Sequence, residues 1–291
     1  MPTVLLMLIL LTGGPEESAG SAGCVALSDT TTDPVFEELM AYAREHGIHQ
    51  EPFGHIIRKV GQRFLGSPYA EGLLDKSDHE SLVLDLTRFD CVLYVEVVLA
   101  LATGIALQDY SYATFARNVE SLRYRGGKED GYCSRLHYFS EWIADNEARG
   151  AVSNVTRRLG GEPLDKQLTF MSEHRESYPR FATHDSLFGG IQSMERALAN
   201  LEIFHIPQNA IAAAYVGLQD GDIVATSTYI EGLDVSHTGF VVRLDNDSVG
   251  LLHASTDGGV KVSRDLQRYV KDNKIQIGIV VARPVDPRGE R

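Results

Sequence analysis

The chain opens on an unbroken apolar run, Val4 to Leu11, followed by a small and polar stretch from Gly13 to Gly23. That run is well under the ~20 residues that span a bilayer and reads as the core of a secretory signal. Amphipathic periods then take over. Apolar residues three and four apart predict a helix over Pro34 to Gly47, with Asp33 as its N-cap. A second helix is predicted over Phe53 to Leu65, and Gly66-Ser67-Pro68-Tyr69 breaks it. Ala70 to Phe89 has no period and reads as irregular. Cys91 to Thr103 is apolar almost all round, with Glu96 its only charge and Gly104 placed as its stop. Such a helix belongs at the centre of a fold. Further helices are predicted over Tyr110 to Tyr124, Arg135 to Arg149 and Leu187 to Leu201. Arg125-Gly126-Gly127 reads as a loop, and Ala151 to Phe181 is mixed.

After Gly221 the texture changes. Asp222 to Thr226, Ser236 to Arg243, Val249 to Ala254 and Gln276 to Ala282 are rich in Val and Ile and read as strands. A short helix is predicted at Arg264 to Val270. Helices lead and strands follow, which is an α+β order rather than βαβ alternation.

Composition narrows the function. The 291 residues carry 40 acidic and 27 basic side chains, a net charge of −13. Nucleic acid is not an expected partner, because binding it needs a basic face. The 43% hydrophobic content is enough for a sizeable core. Cys24, Cys91 and Cys133 are the only cysteines, too few for a disulfide framework. Ser21-Ala22-Gly23-Cys24 ends the leader either by cleavage near Ala22 or by lipidation of Cys24. The expectation is therefore an exported protein of the periplasm or cell envelope. Its contact with a membrane would run only through an anchor at Cys24. The expected organisation is a signal over residues 1–24, an N-terminal helical segment over 25–52 and a catalytic domain over 53–291.

Three residues carry candidate chemistry. Cys91 stands at the first turn of the buried helix, where peptide N–H groups and the helix dipole lower a thiol pKa. Its other reading is a small apolar core residue. His237 and His253 fall in successive strands. An odd-length loop, such as Leu244 to Ser248, puts both on one face. In that register Gly239 opposes His253 and leaves room beside it. The histidines are then diagonal neighbours. Cys91 would attack, His237 would take and return the proton, and His253 or Ser255 would fix the tautomer of His237. A rival use of the same three is an open zinc site. His46 and His49 lack the spacing of a zincin helix, so no metal or other cofactor is expected. No G-x-S-x-G elbow or phosphate-binding glycine loop is present.

These residues resemble a known family. Phe64-Leu65-Gly66-Ser67-Pro68-Tyr69, Glu80-Ser81-Leu82, and Phe89-Asp90-Cys91-Val92 with Val95-Glu96 are similar to the NlpC superfamily of cell-wall cysteine peptidases. So are Gln219-Asp220-Gly221-Asp222-Ile223-Val224, His237-Thr238-Gly239-Phe240 and Leu252-His253-Ala254-Ser255. The stretch Tyr124 to Gly127, Ser134 to Phe139 and Phe170-Met171-Ser172 resembles the branch described as N-acetylmuramoyl-L-alanine amidase-like. The resemblance implies a papain-like fold, a nucleophile helix on an antiparallel sheet with extra helical insertions. It implies cleavage of the amide between N-acetylmuramic acid, in its 1,6-anhydro form, and the L-alanine of peptidoglycan fragments. Cys91, His237 and His253 become the catalytic residues. Tyr69, Arg135, His137 and Ser236 become substrate-binding candidates, Arg135 as a bidentate carboxylate ligand. Leu93 departs from the more polar residue expected there. A cysteine endopeptidase cutting within the stem peptide is the alternative activity. A non-catalytic envelope binding protein fits less well, since all three triad residues are present.

Overall fold

The computed structural model describes residues 33–244 and 248–289. The leader, Cys24 and most of the predicted loop after Leu244 (Asp245, Asn246 and Asp247) lie outside the described residues.

Helix α1, Pro34–Glu45, starts where expected. The Asp33 carboxylate accepts from the N–H groups of Val35 and Phe36, and proline occupies the first turn. Helix α2, Phe53–Gln62, ends three residues early in a turn that leads into Gly66. Helix α3, Cys91–Ala106, is capped by Asp90, which accepts from Val92 N at 3.0 Å and Leu93 N at 2.8 Å. It does not stop at Gly104. That glycine is inside the helix, where a Cβ would lie 2.9 Å from the Asp109 carbonyl oxygen. The chain leaves the helix through Gln108 at φ 58.

Helix α4, Tyr112–Arg123, is capped by Ser111. Helix α5, Phe139–Ala148, starts four residues later than predicted, because Arg135 is extended and bridges Tyr124. There follow β1, Val152–Asn154, β2, Glu162–Pro163, α6, Phe170–Glu173, α7, Pro179–Ala182, and α8, Asp185–Ala197. Next come β3, Phe204–Pro207, α9, Ile211–Ala214, β4, Ile223–Thr228, β5, Val235–Arg243, and β6, Val249–Ser255. The chain closes with β7, Gly259–Ser263, α10, Leu266–Asp272, and β8, Gln276–Pro284. Among the described residues no helix is long and apolar enough to cross a membrane.

The strands form one sheet in the order β2-β3-β8-β4-β5-β6-β7, with β1 also on β8. Each described pairing is antiparallel. Both faces are covered. Ala225, Phe240, Val242, Leu252 and Val280 join the core built by α1 to α4. Val224, Val241, Leu251, Ile279 and Val281 pack on the other side with Ile211, Leu218, Leu266 and Val270. Burial on both faces explains why the central strands read as Val/Ile runs instead of alternating. A third cluster, with Tyr132, Tyr138, Met171, Phe181, Ile191 and Met194, belongs to the helical insertion. Together these make a mixed helix and antiparallel-sheet architecture, consistent with the expected α+β class.

The sheet surrounds α3 from one side and helices α2 and α4 from the other. Glu96 is therefore buried, 2% exposed, and its Oε2 accepts from Arg123 Nε at 2.7 Å; Arg123 is 1% exposed. Arg123 Nη1 also donates to the Val83 carbonyl at 2.7 Å, and Tyr124 Oη donates to Glu80 at 3.0 Å. These two side chains hold the irregular segment before Cys91 against the core. Removing one partner of a buried ion pair leaves a charge stranded in the interior. Arg123→Met should cost about 3–5 kcal/mol in urea denaturation. The double change Glu96→Leu with Arg123→Met should recover a large part of that loss, since neither charge remains.

Candidate active site

The Asp90 cap sets the entry of the chain into α3 and so the position of Cys91 at its first turn. The preceding loop is clamped twice. Gly66 N donates to Val260 O at 2.8 Å and Val260 N to Ser67 O at 2.9 Å, tying the loop to β7. Tyr69 bridges Phe89, two residues before the cysteine. The Tyr69 hydroxyl is held well above the usual phenol range by burial, and the charges of Cys91 and Asp90 push the same way. The structure thus brings Tyr69 close to Cys91.

On the other side of Cys91 lies β5. Thr238 Oγ1 donates to the Cys91 carbonyl at 2.9 Å. The strand register is the one expected from an odd-length loop: Phe240 faces Leu252 and Val241 faces Leu251. Gly239 then lies against His253, where a Cβ would come within 2.8 Å of the His253 Cβ. That space is needed by the histidine pair. His237 Nε2 meets His253 Nδ1 at 2.7 Å, with the rings perpendicular at 88°. His253 Nε2 continues to Ser263 Oγ at 3.0 Å. Ser255 does not take part; its Oγ accepts from Asp257 N at 3.3 Å. Between the two residues left open by sequence, the geometry favours His253.

The electrostatics differ from the expectation for a helix N-terminus. Burial pushes the Cys91 thiol up to about 11, and the Asp90 carboxylate adds to this. Hydrogen bonds from Thr238 pull it down, but less. Burial also lowers His237 to about 4 and, together with His237 and Lys261, lowers His253 to about 3. At neutral pH the thiol and both imidazoles are therefore uncharged at rest. The helix-terminal stabilisation of a thiolate is outweighed by desolvation.

The remaining candidates fall elsewhere. Arg135 is neither a helix charge nor free for a substrate carboxylate. It is 6% exposed, pairs with Asp75 at 2.6 Å and Glu80 at 3.8 Å, and lies over the Tyr132 ring. Its carboxylates come from the chain itself. His137 bonds the Tyr132 carbonyl at 3.0 Å and packs on that ring; burial lowers it to about 3. Both serve to fasten the insertion. Ser236 precedes His237 and shares a 3.2 Å contact with Thr226 Oγ1. Cys133 is a free, half-buried thiol beside Leu187 and Gly190, not paired with Cys91. Three neighbours were not singled out from sequence: Thr238, Ser263 and Tyr269. Ser263 lies on a strand that was not predicted. Tyr269 was read only as part of the short helix predicted at Arg264 to Val270.

The comparisons agree with this architecture. A solved N-acetylmuramoyl-L-alanine amidase from Bacteroides uniformis superposes with a TM-score of 0.74 at 32% identity, over 80% of this chain and 99% of its own. A Bacteroides fragilis protein provisionally described as a xylanase gives 0.72 at 34% identity, over 77% and 99%. A Legionella pneumophila protein gives 0.62 at 19% identity, over 86% and 96%, a likeness of fold alone. Among curated proteins none matches. The likeness to the Bacteroides uniformis amidase, together with the family match, makes the chain a hydrolase of the amidase class. It belongs to the AmiA-like family, described as N-acetylmuramoyl-L-alanine amidase-like, whose model matches residues 59–279.

The neutral imidazoles couple folding to pH. Below the ordinary histidine value of about 6.5, the unfolded chain binds protons that the folded His237 refuses down to about 4 and His137 and His253 down to about 3. Their stabilising contribution is complete above pH 6.5 and is lost as pH falls toward those values. Asp90, held up to about 6 by burial, acts in the opposite direction over the same range. The histidine part therefore shows as a difference between variants. The thermal midpoint of the wild type should fall more steeply from pH 6.5 to 4 than that of a variant lacking one of these histidines. His137→Gln should lose its share of that acid-dependent loss, read as a shallower fall than the wild type in the same pH series.

Proposed function

We propose that the chain is a cysteine amidase of the NlpC superfamily with a papain-like fold. Its substrate is the amide joining N-acetylmuramic acid, in its 1,6-anhydro form, to the L-alanine of peptidoglycan stem peptides. The observation that carries the mechanism is the run of contacts His237–His253–Ser263 beside a capped Cys91. Protons fit along it in one useful order. His237 Nε2–H donates to His253 Nδ1, and His253 Nε2–H donates to Ser263. His237 Nδ1 is then the free base.

The neutral resting pair makes proton transfer part of the attack, as in serine hydrolases. Sγ bonds to the lactyl carbonyl carbon as its proton passes to His237 Nδ1. The Cys91 backbone N–H and the Tyr69 hydroxyl are suited to the developing oxyanion. The C–N bond breaks, the alanyl amine leaves with the proton from His237, and water resolves the thioester. Of the four ring nitrogens, three are engaged in the His237–His253–Ser263 contacts, which leaves a zinc ion only His237 Nδ1. Among the described residues no group of three His, Cys, Asp or Glu side chains is arranged to hold a metal. A glycosidase would use a carboxylate pair, which a thiol and two imidazoles do not supply. The substrate and the leader-like segment support an exported, envelope location.

Incubating the protein with anhydro-N-acetylmuramoyl-L-alanyl peptides should release free anhydro sugar, read by mass spectrometry. Cys91→Ala should lower the rate at least about a thousandfold. Cleavage confined to peptide bonds within the stem would establish the endopeptidase instead. In kcat/KM the acid limb should track protonation of His237. Activity should persist to about pH 5 and fall as pH drops through about 4, where the base acquires a proton.

A further inference from the structure

The proposed mechanism moves a proton onto a buried pair of imidazoles, and the pair has no obvious partner for the positive charge. Among the described residues neither His237 nor His253 hydrogen-bonds or ion-pairs with a carboxylate; their partners are each other and Ser263. The charged side chain that acts on His253 is Lys261, opposite it on β7, and it opposes protonation. In triads that use aspartate, the carboxylate offsets the imidazolium. Here something else must.

One side chain touches both rings. Tyr269, on α10, has its ring centroid 4.9 Å from His253 and 5.8 Å from His237. With the 4.8 Å between the histidines, the three rings close a triangle. The ring is held in place from behind. The Tyr269 hydroxyl stands near the amide of Gln276, which is 2% exposed and whose amide atoms make no hydrogen bond of ordinary geometry. The neighbouring Val270 is fully buried in the core under the sheet, so the first turns of α10 cannot swing away.

We propose that Tyr269 is a positioning residue whose aromatic ring stabilises the imidazolium formed when the thiol proton passes to His237. The S–H bond of Cys91 breaks, an N–H bond forms at His237 Nδ1, and the positive charge is shared along the histidine pair beside the tyrosine ring. A cation over the face of an aromatic ring, within about 6 Å of its centroid, is attracted by the ring quadrupole, and more so when water is excluded. The ring does the work that a carboxylate does elsewhere, while leaving the resting imidazoles neutral. This rests on the thiol–imidazole reading of the site given above.

The ring, not the hydroxyl, is the functional part, and that separates this role from simple packing. Tyr269→Phe should keep kcat within about threefold of wild type. Tyr269→Leu, which still covers the pair, should lower kcat about tenfold with KM unchanged. A second readout needs no turnover. Alkylation of Cys91 by iodoacetamide at pH 7, followed in the full chain by mass spectrometry of the Cys91 peptide, reports how readily the thiol passes its proton to His237. It should slow about tenfold in Tyr269→Leu and stay within about threefold in Tyr269→Phe. Circular dichroism should show both variants folded; if the leucine variant is not, Tyr269→Met takes its place. Equal alkylation rates in the leucine and phenylalanine variants overturn the role assigned to Tyr269. If His237→Ala leaves alkylation unchanged, the thiol–imidazole reading itself fails, and this inference with it.

Discussion

The burial of α3 on every side is the constraint from which the rest of the structure follows. A helix enclosed by a sheet and two other helices can present only its ends to anything else. Its N-terminal end is therefore the natural place for a reactive group, and Asp90 fixes that end by capping two amides. The same enclosure forces Glu96 to find a partner inside the core. Arg123 meets it, and Arg123 in turn binds the segment that precedes Cys91. Capping, ion pair and irregular loop are thus one connected arrangement around a single helix.

Desolvation dominates the chemistry of the site. It raises the thiol and lowers both imidazoles, so that none of the three carries charge at rest. In the proposed mechanism the cost of a charge inside this pocket falls on the reaction itself. That makes the surroundings of the histidine pair as important as the pair. Their groups are a hydroxyl on β7 and an aromatic ring on α10, contributed after the two histidine strands have already been laid down. The sheet edge and the last helix thereby take part in a site whose named residues lie on α3, β5 and β6.

Much of the site was legible in the chain. Cys91 after Asp90, at the start of an apolar run, has a local cause, and the helix formed there. Strand period puts His237 and His253 on one face only for an odd-length loop, and an even one would have separated them. The structure supplies the odd register, in which Gly239 lies opposite His253 and leaves room for the pair. Arg135 and His137 were read less well. Their residue types suit a ligand, but type does not tell whether a partner is internal. Asp75, Glu80 and the Tyr132 carbonyl, distant or irregular in sequence, claimed them.

What sequence determined by itself is whatever depends on neighbours along the chain: the caps of α1 and α3, the helical and strand periods, the α+β order and the residue types able to carry out acyl transfer. What only the tertiary structure decided is whatever depends on burial. Gly104 proved to be a place of close approach by the Asp109 carbonyl, inside the helix and not at its stop. The short strands β1, β2, β3 and β7 formed because longer partners supplied their hydrogen bonds. The Cys91 thiol rose instead of falling because the penalty for a buried charge outweighs the field of one helix end. Water exclusion is a property of the whole packing, and no local pattern of residues records it.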